Sequence, residues 1–539
     1  MASPELTVVG LDAATFDVID PLIAAGDLPN LARLLERGAH GRLRSTTHPL
    51  TPLAWTTMVT GVNAGRHGIW DFSERDESGY RLRLVNGSDS RAPALWTRLS
   101  AAGRRVGVVN VPFTWPAPEV DGFVVAGMDA WAREDGMTTP RGLISELQRE
   151  FGKLLVDHSF PLDDHGRIDL AQVAAVCEQR VAIVDRLLAR YEPELLFVVF
   201  MAADHVQHVG WPEWEERGRE SALAEVYRIL DRALGAIVER VGGGNVLVVS
   251  DHGGGALRGV VNVNAWLAQE GFLAYADRAA LGGRARYRLF ELRRRLPQGL
   301  RDAARQRLPG LRERARNSQA PEIVDWPRTR AFAYGVFGNI VVNVRGRERD
   351  GIVEPGAEYE QVRDEIAARL LELRAPDGKP VVAAVHRRED LYAGPQLARI
   401  PDLIVEFRDY AWLGKGNLTG RTPTIWDTIA PRAHPGATYA GSHRPDGILV
   451  LAGPAARAGV ELSAGIADVA PTVLYLLGEP IPEELEGRLL AEAIDPGLLD
   501  ARPPEYAEPA EVELGAPRPY DAEGAAEVED RLRALGYLE

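Results

Sequence analysis

Cysteine is nearly absent from this chain: of its 539 residues only one, Cys177, is a cysteine. That excludes an intramolecular disulfide framework and any cysteine-rich zinc or iron–sulfur centre. Long apolar runs are missing too, and none approaches the ~18 residues that a membrane-spanning helix needs. The first residues hold neither a basic region nor an extended apolar one, so no secretory leader is expected and a soluble, cytoplasmic protein is. Positive charge is in deficit, with a formal net charge of -15. Such a chain repels nucleic-acid backbones, and nucleic-acid binding is not expected. What is present is ordinary globular composition, 45% hydrophobic and 26% charged, enough to enclose a dry, shaped site.

Short apolar runs rich in β-branched residues recur at 6–10, 106–111, 122–126, 195–201, 245–250, 339–344, 402–407 and 448–452. Most are apolar throughout, as strands buried on both faces are. Amphipathic stretches at 28–37, 170–190, 214–241, 358–373 and 468–477 separate them. This alternation predicts an α/β fold with a mostly parallel central sheet and helices on both faces. Ligands in such sheets sit beyond the carboxyl ends of the strands. The expected organisation is a catalytic core over 1–275, an arginine-rich helical cap inserted at 276–321, the rest of the core over 322–500, and a tail over 501–539 ending in a helix at 522–538.

Polar residues follow the apolar runs directly. Asp12 follows the first. Asp204 follows the run at 195–201, and His208 lies four residues on, on the same face of a helix. Asp251 and His252 follow the run at 245–250, with glycines behind them that let the backbone approach a ligand. His443 precedes the run at 448–452. Each has a bland reading, as a helix cap or a surface polar residue. Together they make a set of Asp and His side chains at neighbouring strand ends, suited to two divalent cations of intermediate softness: zinc, manganese or iron. Two such ions can clamp the attacking and leaving oxygens of a phosphoryl transfer. Thr51, just before Pro52, reads as the N-cap of a helix, among free N–H groups that attract phosphate. Metal coordination would make its hydroxyl a competent nucleophile. Thr46, Thr47, Thr56, Thr57 and Thr60 are rival hydroxyls.

In order and spacing, Gly10-Leu11-Asp12, the stretch from Thr51 to Gly61 with His67-Gly68-Ile69, Asp204 with His208, Asp251-His252-Gly253, Gly441-Ser442-His443 and Asp468-Val469-Ala470-Pro471-Thr472 resemble the type I phosphodiesterase/nucleotide pyrophosphatase branch of the alkaline phosphatase superfamily. Within that branch, the chain is most similar to the prokaryotic phosphohydrolase/phosphomutase group. The resemblance implies an alkaline-phosphatase-like fold over most of 5–495 and two zinc-like metal sites, with manganese as the alternative ion. One would be held by Asp204, His208 and His443, the other by Asp12, Thr51, Asp251 and His252. It also implies that Thr51 forms a phosphothreonine that water then hydrolyses. His205 stands inside the first motif as a competing ligand. One departure stands out: Phe72 occupies the position where the family has an asparagine that contacts phosphoryl oxygens. Arg66, Arg91 and Arg444 are candidate replacements, because guanidinium groups match phosphate oxygens.

The function expected is hydrolysis of a small anionic phosphate ester. The alternatives are a phosphomutase or phosphotransferase of the same superfamily, or a metal-stabilised binding protein. The arginines from Arg284 to Arg316 could recruit an anionic substrate, an anionic membrane surface or a protein partner. A sulfatase is not expected, because Cys177 lacks the Pro and Arg spacing that formylglycine formation requires.

Overall fold

The computed structural model describes residues 3–76, 80–130, 136–154, 161–163, 166–276, 323–416, 418, 424–427, 432–434, 437–438, 440–510 and 512–534. The arginine-rich stretch at 284–316 and the cap expected there lie outside the described residues.

A nine-stranded sheet forms the centre. Its order is Glu461–Gly465, Ala39–Arg44, Asp446–Ala452, Asn245–Val249, Leu6–Leu11, Leu195–Phe200, Val106–Val109, Gly122–Val125 and Thr138–Thr139. Leu6–Leu11 and Leu195–Phe200 are buried along their whole length, which explains their unbroken apolar sequence. Both neighbours of Leu6–Leu11 run parallel to it. The fold class read from the sequence is therefore correct, with antiparallel members confined to Asp446–Ala452 and to the Thr138–Thr139 edge.

Helices Leu170–Tyr191 and Ala222–Val241 pack on each other over the sheet. Pro29–Arg37 docks on the second of these: the Asp231 carboxylate accepts the Asn30 and Leu31 N–H groups at 3.1 and 2.8 Å, placing negative charge at a helix start. The single helix expected over 214–241 is two helices. Ala202–Arg217 ends at Gly218, which takes a positive φ of 53°. Ala222–Val241 then starts afresh, its Ala224 N–H capped by the Ser221 hydroxyl at 3.2 Å.

The runs at 339–344 and 402–407 do not join the central sheet. They form Asn339–Val342 and Leu403–Phe407 of a second, seven-stranded sheet, ordered Val382–Arg387, Leu403–Phe407, Asn339–Val342, Ala331–Val336, Trp412–Gly416, Gly259–Asn262 and Trp426–Asp427. This sheet is mostly antiparallel and has its own apolar core. Helix Ala357–Leu371 contributes Val362, Ile366 and Leu370 to that core. Towards the C-terminus, Tyr520 stacks on Trp115 at 4.6 Å and its hydroxyl donates to the Asp129 carbonyl at 2.7 Å. Among the described residues no helix is long and apolar enough to cross a membrane.

Candidate active site

The three central strands Leu6–Leu11, Leu195–Phe200 and Asn245–Val249 run parallel side by side, so their carboxyl ends open on one place. Asp12 stands at the first end. Asp204 and His208 lie one turn apart on helix Ala202–Arg217, which begins at the second. Asp251 and His252 occupy the turn between Asn245–Val249 and Gly253–Ala256. His443 arrives on the short strand Gly441–Arg444, antiparallel to Gly253–Ala256, with Gly254 as its pairing partner.

These side chains converge. The Asp204 Oδ1 is 3.2 Å from the Nε2 of both His208 and His443, and those two nitrogens are 3.2 Å apart. The His252 Nε2 is 3.3 Å from Asp251 Oδ2 and 3.8 Å from Asp12 Oδ1. Asp12, Asp251 and His252 offer donor atoms all within 4.8 Å of one another, and so do Asp204, His252 and His443. His252 thus faces both groups, and its ring stacks on His443 at 3.8 Å. All these residues are at most 2% exposed.

The donors suit divalent cations. The Nδ1 atoms of His208, His252 and His443 meet the carbonyls of Gly441, Gly253 and Pro49 at 3.2, 3.0 and 2.5 Å. A carbonyl can only accept, so each Nδ1 carries the proton and each Nε2 keeps its lone pair for the shared space. Two such lone pairs 3.2 Å apart in His208 and His443 repel unless a cation lies between. Asp251 Oδ2 and His252 Nε2 are buried without a hydrogen-bond partner. Burial, and then the negative Asp204, push the Asp251 carboxyl well above the usual range. Burial lowers His252 and His443, which keeps them neutral, as metal ligands must be. An acidic pocket that cannot comfortably hold all its negative charge suits a cation.

Thr51 corrects the sequence reading in one respect. It is the first helical residue of Thr51–Thr60, and Leu50 occupies the cap position with no side-chain cap bond. The Thr51 hydroxyl therefore caps nothing; it is 1% exposed and has no hydrogen-bond partner among the described residues. Contacts on either side of it reach the site: the Pro49 carbonyl holds His443 at 2.5 Å, and the Trp55 indole N–H donates to Asp12 Oδ2 at 2.8 Å. Asp12 is no helix cap either, since Thr15 caps Phe16–Ala24.

The candidate phosphate binders have other partners. Arg66 donates to the Glu484 carbonyl at 2.6 Å and pairs with its carboxylate at 3.3 Å. Arg91 is exposed. Arg444 gives its N–H groups to the carbonyls of Tyr410, His443 and Ala256, and burial lowers it to about 10. Phe72 packs in the core, 5.9 Å from the Phe113 ring. His205 is buried but joins neither group of donors among the described residues. The rival Thr57 and Thr60 hydroxyls bond back to the Leu53 and Thr56 carbonyls.

Sequence reasoning missed Trp55, Gln207, His48 and Phe337 in this neighbourhood. Trp55 holds Asp12; its position one turn after Thr51 was the only available signal. Gln207, whose amide donates to the Ala13 carbonyl at 2.8 Å, and His48, whose ring lies 5.4 Å from that of Phe337, left none.

The family profile for type I phosphodiesterase/nucleotide pyrophosphatase matches residues 6–428. Among solved structures, phosphonoacetate hydrolase from Sinorhizobium meliloti 1021, in complex with phosphonoformate, is similar with a TM-score of 0.53 and 16% identity, over 88% of this chain and 95% of that one. Murine ectonucleotide pyrophosphatase/phosphodiesterase 5 is similar with a TM-score of 0.50 and 14% identity, over 91% of this chain and 100% of that one. No curated protein matches in sequence.

Proposed function

Because this chain belongs to the type I phosphodiesterase/nucleotide pyrophosphatase family, whose members are metal-dependent phosphoric ester hydrolases, we propose that it hydrolyses a small phosphate ester through a phosphothreonine on Thr51. The single observation that carries the reading is the free, buried Thr51 hydroxyl, flanked by contacts to Asp12 and His443. Asp204, His208 and His443 would hold one divalent cation, and Asp12, Asp251 and His252, with Thr51, the other. Zinc suits this nitrogen and oxygen set, and manganese fits it as well. Bound there, the cations would lower the pKa of the attacking hydroxyl and screen the phosphoryl oxygens.

The chain's own groups do the rest. Thr51 Oγ forms a bond to phosphorus as the bond from phosphorus to the ester oxygen breaks, and the alcohol leaves. Water then attacks the phosphothreonine, releasing phosphate or a monoester and returning the hydroxyl to Thr51. The helix beginning at Thr51 presents N–H groups to the transferring phosphoryl group. Trp55 orients Asp12, and the Pro49, Gly253 and Gly441 carbonyls orient the imidazoles. The murine neighbour has a threonine-to-alanine variant described as inactive, in complex with AMP, which supports a threonine nucleophile here. The test is metal analysis of the purified chain with turnover of 4-nitrophenyl phosphate and bis(4-nitrophenyl) phosphate. Release of nitrophenol only with metal bound is expected. A protein that binds no divalent metal when supplied with it would sink the reading.

A further inference from the structure

One aromatic residue outside the metal-ligand motifs, Phe337, packs beside His443. Strands Ala331–Val336 and Asn339–Val342 of the second sheet form an antiparallel hairpin with Tyr334 opposite Asn339, and Phe337 is at its tip. The Phe337 ring centroid lies 5.9 Å from that of His443 and 5.4 Å from that of His48. His443 in turn stacks on His252, and His48 lies 5.5 Å from Trp70. Phe337 is thus the middle ring of a continuous row that starts at the candidate ligands His252 and His443 and ends at Trp70.

Its backbone is unusual. Phe337 has φ +66°, with Gly335 at +66° and Gly338 at +80° around it. A bulky residue in this left-handed region is strained, and a glycine at 337 would relieve the strain. The tip is held in place nonetheless. Asn339 Nδ2 donates to the Val336 carbonyl at 3.1 Å and to Asp71 Oδ2 at 3.3 Å. A Cβ on Gly414 would lie 2.7 Å from the Gly338 nitrogen, so the neighbouring strand closes tightly against the tip. Phe337 itself is only 4% exposed. Burial lowers the neighbouring His48 to about 4, leaving that ring uncharged.

We propose that Phe337 is the specificity-determining residue of this site, its ring limiting the size of the group that a phosphoryl substrate carries beside His443. The inference rests on the proposed phosphohydrolase reading. On this proposal the organic part of an ester held at the candidate ligands lies along His443, whose ring is 5.9 Å from that of Phe337. Small substituents are accepted, and bulky ones meet the ring.

The test uses the full chain loaded with zinc, wild type against Phe337→Gly, Phe337→Leu and Phe337→Trp. Methyl 4-nitrophenyl phosphate and bis(4-nitrophenyl) phosphate share a leaving group and differ only in the bulk of the retained group. The bulky-to-small ratio of kcat/KM is expected to rise at least tenfold in Phe337→Gly, to rise less in Phe337→Leu, and to fall in Phe337→Trp. Binding of phenylphosphonate relative to methylphosphonate, measured by calorimetry, should follow the same order without any turnover. Melting curves report folding, and the Leu and Trp variants decide the matter if the Gly variant does not fold. Unchanged ratios in folded variants overturn the inference while ester hydrolysis stands. Wild type that binds the phosphonates with the expected order but turns over neither ester overturns the hydrolase reading instead. Wild type that binds neither phosphonate overturns both.

Discussion

At the scale of single residues, the site depends on groups that never touch a substrate. Trp55 is a positioning residue: its indole N–H fixes one oxygen of Asp12 at 2.8 Å. Trp55→Phe keeps most of the buried ring and removes only that bond. Metal affinity is expected to fall roughly 10–100-fold, the usual cost of losing such support, read by competition with a chromogenic chelator. Asp71 offers a second test. It is buried, and burial pushes its carboxyl up to about 7. Its folded value thus exceeds its unfolded value, so the stability it contributes is full below about pH 4 and lost as pH rises through about 7. The full loss is roughly 4 kcal/mol, at about 1.4 kcal/mol for each pH unit of difference. Thermal melts of wild type should weaken from pH 5 to pH 8 relative to Asp71→Asn, whose side chain stays neutral. Parallel melting profiles would contradict that assignment.

At the scale of elements, the site is assembled by close backbone approach as much as by side chains. A Cβ on Gly441 would lie 2.1 Å from the Gln207 carbonyl oxygen, in the middle of the helix that holds Asp204 and His208. Gly441→Ala must therefore part strand Gly441–Arg444 from that helix and draw His443 away from His208. Turnover is expected to fall at least 100-fold, because a misplacement of about 1 Å costs that much, and metal titration should show the loss of one of two ions. The strand-end carboxylates were legible in the sequence because an unbroken apolar run ending in Asp is a visible pattern. Helix boundaries such as 28–37 and 468–477 were legible within one or two residues of Pro29–Arg37 and Val469–Leu476. The second sheet was not, since the runs at 339–344 and 402–407 look like those of the central sheet, and pairing partners are a long-range property. Phe337, His48 and Trp55 escaped for the same reason: their importance comes from what the folded chain brings beside them.

At the scale of the whole molecule, metal held by the buried Asp12, Asp204 and Asp251 carboxylates, as proposed, would couple stability to metal. Chelation at pH 8 should lower the melting temperature, and added zinc should restore it in a concentration-dependent way. A site filled at 100 times its dissociation constant contributes about 2.7 kcal/mol. The central claim, however, is the covalent step at Thr51, and trapping it is the most direct measurement. The metal-loaded chain is mixed with bis(4-nitrophenyl) phosphate, quenched in acid within the first turnover, and digested for mass spectrometry. A phosphoryl adduct is expected on the peptide that begins the Thr51–Thr60 helix, localised to Thr51, with neither adduct nor turnover in Thr51→Ala. Undiminished turnover in Thr51→Ala, or an adduct on another residue, would contradict the claim.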